Sequence, residues 1–329
     1  MKNNKEDAQF AQDLGETLKE KQKQSEIRQV QEKILFTGLD NSGKTTIIKL
    51  LQREISQIAM LKPTRQAQRA IFNYLGKQIS EWDLGGQERY RIAYLKEPTK
   101  YFDNTSVCIY MIDVQDKPRI AESLSYFADV IKQFKTLNIE PFIYILFHKN
   151  DPDYVKEKGV HLKGFISEIK ENVRKIVNEE FNVSFTETTI FDLWSIISVF
   201  SEILLQLYPQ SELLDKTIKE FSGKINSNAS IVLDSNSLVI GQHFADNTSK
   251  QILANSTPYF LTLSDTLEKQ DEGVTEMIVE RGDNEFYIDQ FNIEKTQDPL
   301  YILLMKQKGT GSFKREEVIS FIKILKSIL

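Results

Sequence analysis

Apolar and polar positions divide the chain into two series of elements. The first opens with a short apolar run, Ile34-Leu35-Phe36, which reads as a strand. A helical pattern carrying Ile47, Ile48, Leu50 and Leu51 follows it. Ile79, Glu81 and Trp82 around Ser80 read as a strand ending at Asp83. Longer apolar runs come at Val107-Cys108-Ile109-Tyr110-Met111-Ile112 and at Phe142-Ile143-Tyr144-Ile145-Leu146-Phe147. The tract from Leu193 to Leu207 is interrupted by Ser195, Ser198, Ser201 and Glu202. It therefore reads as the closing helix of this unit and not as a membrane span.

After Tyr208-Pro209 the pattern changes, and a domain boundary is expected there. Glu212 to Ile225 is helical in spacing. Ile231-Val232-Leu233, the turn Asp234 to Ser237, and Leu238-Val239-Ile240 predict a hairpin. Ser249 to Leu267 reads as a helix that Pro258 kinks, opens or breaks. Met277 and Val279 alternate before the turn Arg281-Gly282-Asp283-Asn284, and Phe286 and Ile288 alternate after it. A strand through Tyr301-Ile302-Leu303-Leu304-Met305 and a helix from about Phe313 complete the series. That last helix carries Val318, Ile319, Phe321, Ile322, Ile324, Leu325, Ile328 and Leu329. So wide an apolar surface implies either a second buried contact or a fully internal helix. Residues 1–30 are rich in Lys, Glu and Gln, with Phe10, Leu14 and Leu18 as a narrow stripe. They read as a solvated tail, the alternative being a short docking helix.

A length of 329 residues suggests about two domains. Hydrophobic residues at 40% and charged residues at 27% are ordinary for a globular protein. The net charge of −5, without an Arg/Lys stripe interleaved with aromatics, argues against nucleic acid as a partner. Cys108 is the only cysteine, so no intrachain disulfide can form, and it is expected to pack as a small hydrophobe. Lys2 in place of glycine excludes N-myristoylation, and the C-terminus has no prenylation cysteine. A cytoplasmic protein that reaches membranes only through partners is expected.

The chemistry lies in three motifs. Gly38-Leu39-Asp40-Asn41-Ser42-Gly43-Lys44-Thr45 is a complete GxxxxGK[ST] loop between the first strand and the first helix. A strand-to-helix turn of this kind aims backbone N–H groups and a helix dipole at one point. Lys44 can reach β- and γ-phosphates, and the Thr45 hydroxyl can bind Mg²⁺. The second motif is Trp82-Asp83-Leu84-Gly85-Gly86-Gln87-Glu88-Arg89. Asp83 can hold Mg²⁺ through water, and Gly85 and Gly86 allow close approach to a γ-phosphate. Gln87 would orient the attacking water. The third is His148-Lys149-Asn150-Asp151. The Asp151 carboxylate can accept hydrogen bonds from N1–H and the exocyclic amine of guanine, a donor pair adenine lacks. The Lys149 stem can pack along the base.

The order and spacing of these motifs resemble the Ras-like small GTPases, and more closely the branch holding the Arf, Gα and Rag/Gtr families. The stretches Gly38 to Thr46 and Trp82 to Arg89 look Arf-like, whereas His-Lys-x-Asp is the form typical of Rag/Gtr proteins. Glu187-Thr188-Thr189-Ile190-Phe191-Asp192 stands at the place of the last guanine-contacting loop, which implies that Thr188 and Thr189 lie near the base. Leu61-Lys62-Pro63-Thr64 matches the Arf-like Pro-Thr. Thr64 would then close over Mg²⁺ and the γ-phosphate, the plain alternative being a strand-entry residue. Gα proteins carry a cis arginine just before this threonine, and Leu61, Lys62 and Pro63 stand there instead. Slow intrinsic hydrolysis is expected, with GTPase-activating and exchange factors as partners. In the second half, the series helix, two strands, helix, three strands, helix resembles the roadblock fold, a relative of longin domains.

The resemblance implies an α/β P-loop GTPase domain over residues 31–209, its mixed and mostly parallel sheet flanked by helices. An α+β roadblock/longin-like domain over 210–329 would form a homo- or heterodimer. Gly38, Asp40, Asn41, Ser42, Gly43, Lys44, Thr45, Thr46, Gly86, His148, Lys149, Asp151, Thr188 and Thr189 would hold GTP or GDP. Thr45, Thr64 and Asp83 would hold Mg²⁺, with Gln87, Lys44 and Thr64 as the catalytic set. The expected function is a slow guanine-nucleotide switch in a Rag/Gtr-like dimer. The alternatives are an Arf-like trafficking GTPase with an appended longin-type domain, and a nucleotide-locked dimerisation scaffold.

Overall fold

The computed structural model describes residues 32–51, 64–75, 77–207, 211–268, 276–294, 299–309 and 311–329. The tail with Phe10, Leu14 and Leu18, the stretch Leu61-Lys62-Pro63 and the Tyr208-Pro209 boundary lie outside the described residues.

The first half runs β1 (Glu32–Gly38), α1 (Lys44–Leu51), β2 (Ala67–Tyr74), β3 (Lys77–Leu84), α2 (Glu88–Lys96), α3 (Pro98–Tyr101) and β4 (Val107–Asp113). It continues with α4 (Ile120–Leu137), β5 (Phe142–His148), α5 (Pro152–Val177), β6 (Val183–Thr188) and α6 (Leu193–Gln206). Six strands form one sheet in the order β2-β3-β1-β4-β5-β6, parallel except for the antiparallel β2–β3 pair. Helices on both faces explain why β4 and β5 are unbroken apolar runs, since neither face of these central strands meets water. Ile109 and Met111 join the cluster on one face, and Cys108, Tyr110 and Ile112 join the other. Cys108 is fully buried, and burial pushes its thiol pKa well up.

The second half runs α7 (Ser211–Ile225), β7 (Ala229–Leu233), β8 (Val239–Phe244), α8 (Asn247–Glu268), β9 (Met277–Arg281), β10 (Asn284–Phe291), β11 (Leu300–Gln307) and α9 (Arg315–Ile328). Its five strands form a second, antiparallel sheet in the order β8-β7-β11-β10-β9. Period-two alternation assigns Val232, Tyr287, Ile302 and Leu304 to one face, covered by α7 and α9, where Phe221 and Phe321 stack 3.8 Å apart. Ile231, Leu233, Phe286, Ile288, Leu303 and Met305 face α8, which contributes Leu253 and Leu261.

Pro258 sits inside α8, which is assigned as one helix from Asn247 to Glu268. Pro258 has no N–H to donate to the Ala254 carbonyl, so one rung of the helix is missing there. The last helix is neither fully internal nor apolar-covered all round. Val318, Phe321, Ile322 and Leu325 form its buried face, while Ile319 and Ile324 are exposed.

The helix α6 serves both sheets. Its Phe200 stacks on Phe36 of β1 at 5.6 Å, while Ile197 joins the α8-side cluster of the second sheet. This double burial accounts for its apolar composition. Ser201, one of the polar breaks in that tract, is buried; its hydroxyl accepts the Val239 N–H at 2.7 Å and donates to the Ile197 carbonyl. The tip of the β2–β3 hairpin reaches the same place, with the Tyr74 hydroxyl donating to the Val239 carbonyl at 3.3 Å. Among the described residues no helix is long and apolar enough to cross a membrane.

Candidate functional site

The loop from Gly38 to Gly43 leaves β1 in a shape that requires glycine at both of its ends. Gly38 adopts φ 137°, and a Cβ there would lie 2.5 Å from the Met111 carbonyl oxygen. Gly86 approaches from the other side, where a Cβ would lie 2.1 Å from the Asp40 nitrogen. Either substitution would force backbone apart. The loop lines a cleft of about 410 Å³ with Asp40, Asn41, Ser42, Gly43, Lys44, Thr45, Thr46, Thr64, Gly86, Gln87, His148, Lys149, Asp151 and Ile190. The three motifs thus open onto one space. A crevice of about 740 Å³ between β5, β6, α6 and β8 is larger, but none of these motif residues lines it.

Lys44 is buried, and its ammonium donates to the Leu39 carbonyl at 2.7 Å and to the Gly38 carbonyl and Ser42 hydroxyl at 3.3 Å. Burial lowers its pKa to about 8, against the raising effects of Asp83 and Asp40. An anion in the cleft would favour the charged form.

Three oxygen groups from distant parts of the chain converge beside it. The Thr45 hydroxyl donates to Asp83 Oδ2 at 2.6 Å. The Thr64 hydroxyl lies 2.6 Å from that of Thr45 and 3.2 Å from Asp83 Oδ2. Asp83 Oδ1 is buried without a hydrogen-bond partner. An all-oxygen set with one carboxylate and an unsatisfied buried acceptor fits a hard cation such as Mg²⁺, which binds through few protein ligands and completes its shell with phosphate and water. Thr64 is tied to this set through backbone as well: the Gly85 N–H donates to Gln66 O at 3.1 Å, and a Cβ on Gly85 would lie 2.7 Å from Thr64 O. The segment before β2 and the Gly-Gly turn after β3 therefore close on each other.

Gln87 is the N-cap residue of α2, half-buried at the cleft, and its side chain makes no capping bond. Its carbonyl accepts the Tyr90 and Arg91 N–H groups, so backbone alone starts the helix.

His148 is buried, with Nδ1 at 3.0 Å from the Thr188 hydroxyl. A Cβ on Gly43 would lie 2.4 Å from its ring, so the imidazole packs edge against the phosphate loop. Burial, aided by the Lys149 charge, pushes its pKa down to about 4, so it is a neutral strut at physiological pH. Lys149 adopts φ 61° and its ammonium pairs with Asp113 Oδ2 at 2.7 Å. The two carboxylate oxygens of Asp151 accept different donors: Thr189 Oγ1 at 2.5 Å on Oδ1, and Gln115 Nε2 at 2.9 Å on Oδ2.

Several residues here were not predicted from sequence. Ile190 reaches the cleft from the loop after β6, although no motif chemistry points to it. Asp113 and Gln115 stand at the end of β4, the strand next to β5, and strand order alone makes them neighbours of the His148 loop. A charged chain also joins the phosphate loop to α2. Asp40 pairs with Arg119 at 2.7 Å, Arg119 with Glu122 at 2.9 Å, and Glu122 with the largely buried Arg91 of α2. Arg69, near Thr64 in sequence, instead bonds the Ser80 hydroxyl at 3.1 Å and lies over the Trp82 ring.

The chain is similar to several known proteins. The chain is 33% identical over 124 residues to ADP-ribosylation factor-like protein 3 of Chlamydomonas reinhardtii, covering 38% of this chain and 64% of that one. It is 29% identical over 130 residues to ADP-ribosylation factor-like protein alp41 of Schizosaccharomyces pombe, covering 39% and 65%. The chain thus spans a little under two thirds of each of these relatives. A solved structure of the Arl6 BBS3 small GTPase from Trypanosoma brucei, with the nucleotide analogue GppNp bound, matches 54% of this chain and 96% of that one, at 16% identity and a TM-score of 0.41. The model of the Gtr1/RagA G protein conserved region matches residues 33–267, well over half of the sequence. The chain belongs to the Gtr1/RagA G protein family.

Proposed function

We propose that this protein is a Mg²⁺-dependent guanine-nucleotide switch that hydrolyses GTP slowly and works as a dimer. The observation that carries the reading is the meeting of Thr45, Thr64 and Asp83, which joins the phosphate loop to both segments able to sense a γ-phosphate. In this reading Lys44 and the loop amides from Asp40 to Thr46 hold phosphates. Thr45, Thr64 and Asp83 hold Mg²⁺, which would neutralise phosphate charge. Gln87 orients water, and Asp151, supported by Thr189, Lys149 and the His148–Thr188 pair, reads guanine. With Leu61, Lys62 and Pro63 standing where a cis arginine would precede Thr64, single-turnover decay of loaded GTP should run on the order of 10⁻⁴–10⁻³ s⁻¹. A phosphate-release assay on the full-length chain checks this, and no hydrolysis above the buffer rate would contradict it.

The two-domain division at about residue 209 rests on the two separate sheets, with α6 packed between them. The order β8-β7-β11-β10-β9, with one helix on one face and two on the other, supports a roadblock-type second domain. The family match, reaching residue 267, extends into this half, whereas the Arf-like relatives match only 124 and 130 residues.

The dimer reading rests on α8 and β9. Tyr259, Leu263 and Leu267 form an exposed apolar stripe at four-residue spacing on α8. The edge strand β9 adds the exposed Ile278 and, among the described residues, a row of backbone groups that no further strand pairs. Leu263→Asp should keep the fold, because this side chain is 41% exposed, and should convert a dimer to a monomer in light scattering. A wild-type monomer, or a variant that stays dimeric, would contradict this surface as the interface.

A further inference from the structure

We infer that Gln115 is a positioning residue for base recognition, a brace that fixes the Asp151 carboxylate in its guanine-reading orientation. The inference rests on the reading of Asp151 as the guanine-selecting group.

The primary amide of Gln115 has two N–H donors, and both are used. One goes to Asp151 Oδ2 at 2.9 Å and the other to the Lys149 carbonyl at 2.8 Å. A single side chain thus ties the carboxylate to the backbone of its own loop. Gln115 is itself held in place. Its N–H donates to Asp113 Oδ1 at 2.9 Å, and the adjacent Val114 N–H extends the β4–β5 pairing to the His148 carbonyl at 3.1 Å. Asp113 then uses its second oxygen to pair Lys149 at 2.7 Å. The loop after β4 therefore grips both base-facing residues of the loop after β5.

An ionised carboxylate oxygen offers two lone-pair sites. Thr189 fills one on Oδ1 and Gln115 fills one on Oδ2, so one site on each oxygen remains for the two donors of guanine. With both oxygens pinned from outside, the carboxylate plane cannot rotate about χ2 without breaking a charge-assisted hydrogen bond. Gln115 acts as a brace and not as a stand-in for the base. It does not line the cleft that Lys149, Asp151 and Ile190 line, and its second hydrogen bond is to main chain. The left-handed backbone at Lys149, uncommon for a long side chain, makes such external ties more consequential.

The test compares GDP, inosine diphosphate and xanthosine diphosphate on full-length wild-type, Gln115→Ala and Asp151→Asn proteins in Mg²⁺. Inosine lacks the exocyclic amine, so the GDP-to-inosine affinity ratio reports how well both carboxylate oxygens are presented. Gln115 is exposed, so its removal leaves the core intact. Gln115→Ala should weaken GDP on the order of tenfold, the low end of the scale of one hydrogen bond to a charged group, and should shrink the GDP-to-inosine ratio. A merely structural loosening would weaken both nucleotides alike and leave the ratio unchanged, which would overturn the inference. GDP binding as tight as, or tighter than, wild type would overturn it too. If Asp151→Asn shifts preference to xanthosine diphosphate while Gln115→Ala changes nothing, only the role of Gln115 fails. If Asp151→Asn leaves the preference unchanged, the base reading fails and this inference with it.

Discussion

Asp151→Asn is expected to move nucleotide preference from guanine to xanthine, with GDP affinity falling on the order of 10²–10⁴-fold. The estimate assumes that two hydrogen bonds to a charged acceptor are lost together. An amide in place of the carboxylate presents one acceptor and one donor, which opposes one of guanine's two donors and matches the O2 carbonyl of xanthine. The surroundings add to the effect. Thr189 and Gln115 both donate to Asp151, so the new NH₂ group must face one donor or the other. Competition between GDP and xanthosine diphosphate reads the change. An unchanged preference would place base selection elsewhere.

Gln87→Leu is expected to abolish activator-stimulated hydrolysis while leaving GTP binding intact. The stimulated rate should collapse to the intrinsic scale, a loss on the order of 10³–10⁵-fold. The variant should fold, because the start of α2 is set by the Gln87 carbonyl and not by its side chain. Stability should therefore change by no more than about 0.5 kcal/mol. Three arginines around the cleft are engaged elsewhere: Arg119 on Asp40 and Glu122, Arg91 on Glu122, and Arg69 on Ser80. Normal stimulated turnover in this variant would show that another group orients the water.

Much of this account was legible in the sequence because its determinants are local. The phosphate loop is eight consecutive residues between a strand and a helix, and glycine at positions 38 and 43 follows from backbone shape. The second half was legible as element order, since alternating apolar residues on β7, β10 and β11 reflect a sheet covered on both faces. What stayed hidden depends on contacts far apart in sequence. Nothing around Asp40 announces Arg119, and nothing around Asp151 announces Gln115, because strand order brings them together. Helix periodicity identified α6 as the closing helix of the first unit but could not show that it serves two sheets, which Ser201 and Val239 reveal. The final helix shows the same limit: its wide apolar surface was compatible with a fully internal helix or with a second contact, and only the packing shows that Val318, Phe321, Ile322 and Leu325 are buried while Ile319 and Ile324 point outward.

The central claim is a guanine-nucleotide site organised by Mg²⁺, and the most direct measurement is of the nucleotide carried by the purified full-length chain. The protein would be isolated in Mg²⁺, denatured, and its released nucleotide separated and quantified, with a parallel sample first treated with chelator. The expected result is close to stoichiometric GDP or GTP in Mg²⁺ and its loss after chelation. Absence of any guanine nucleotide, with no uptake of added GTP, would contradict the account.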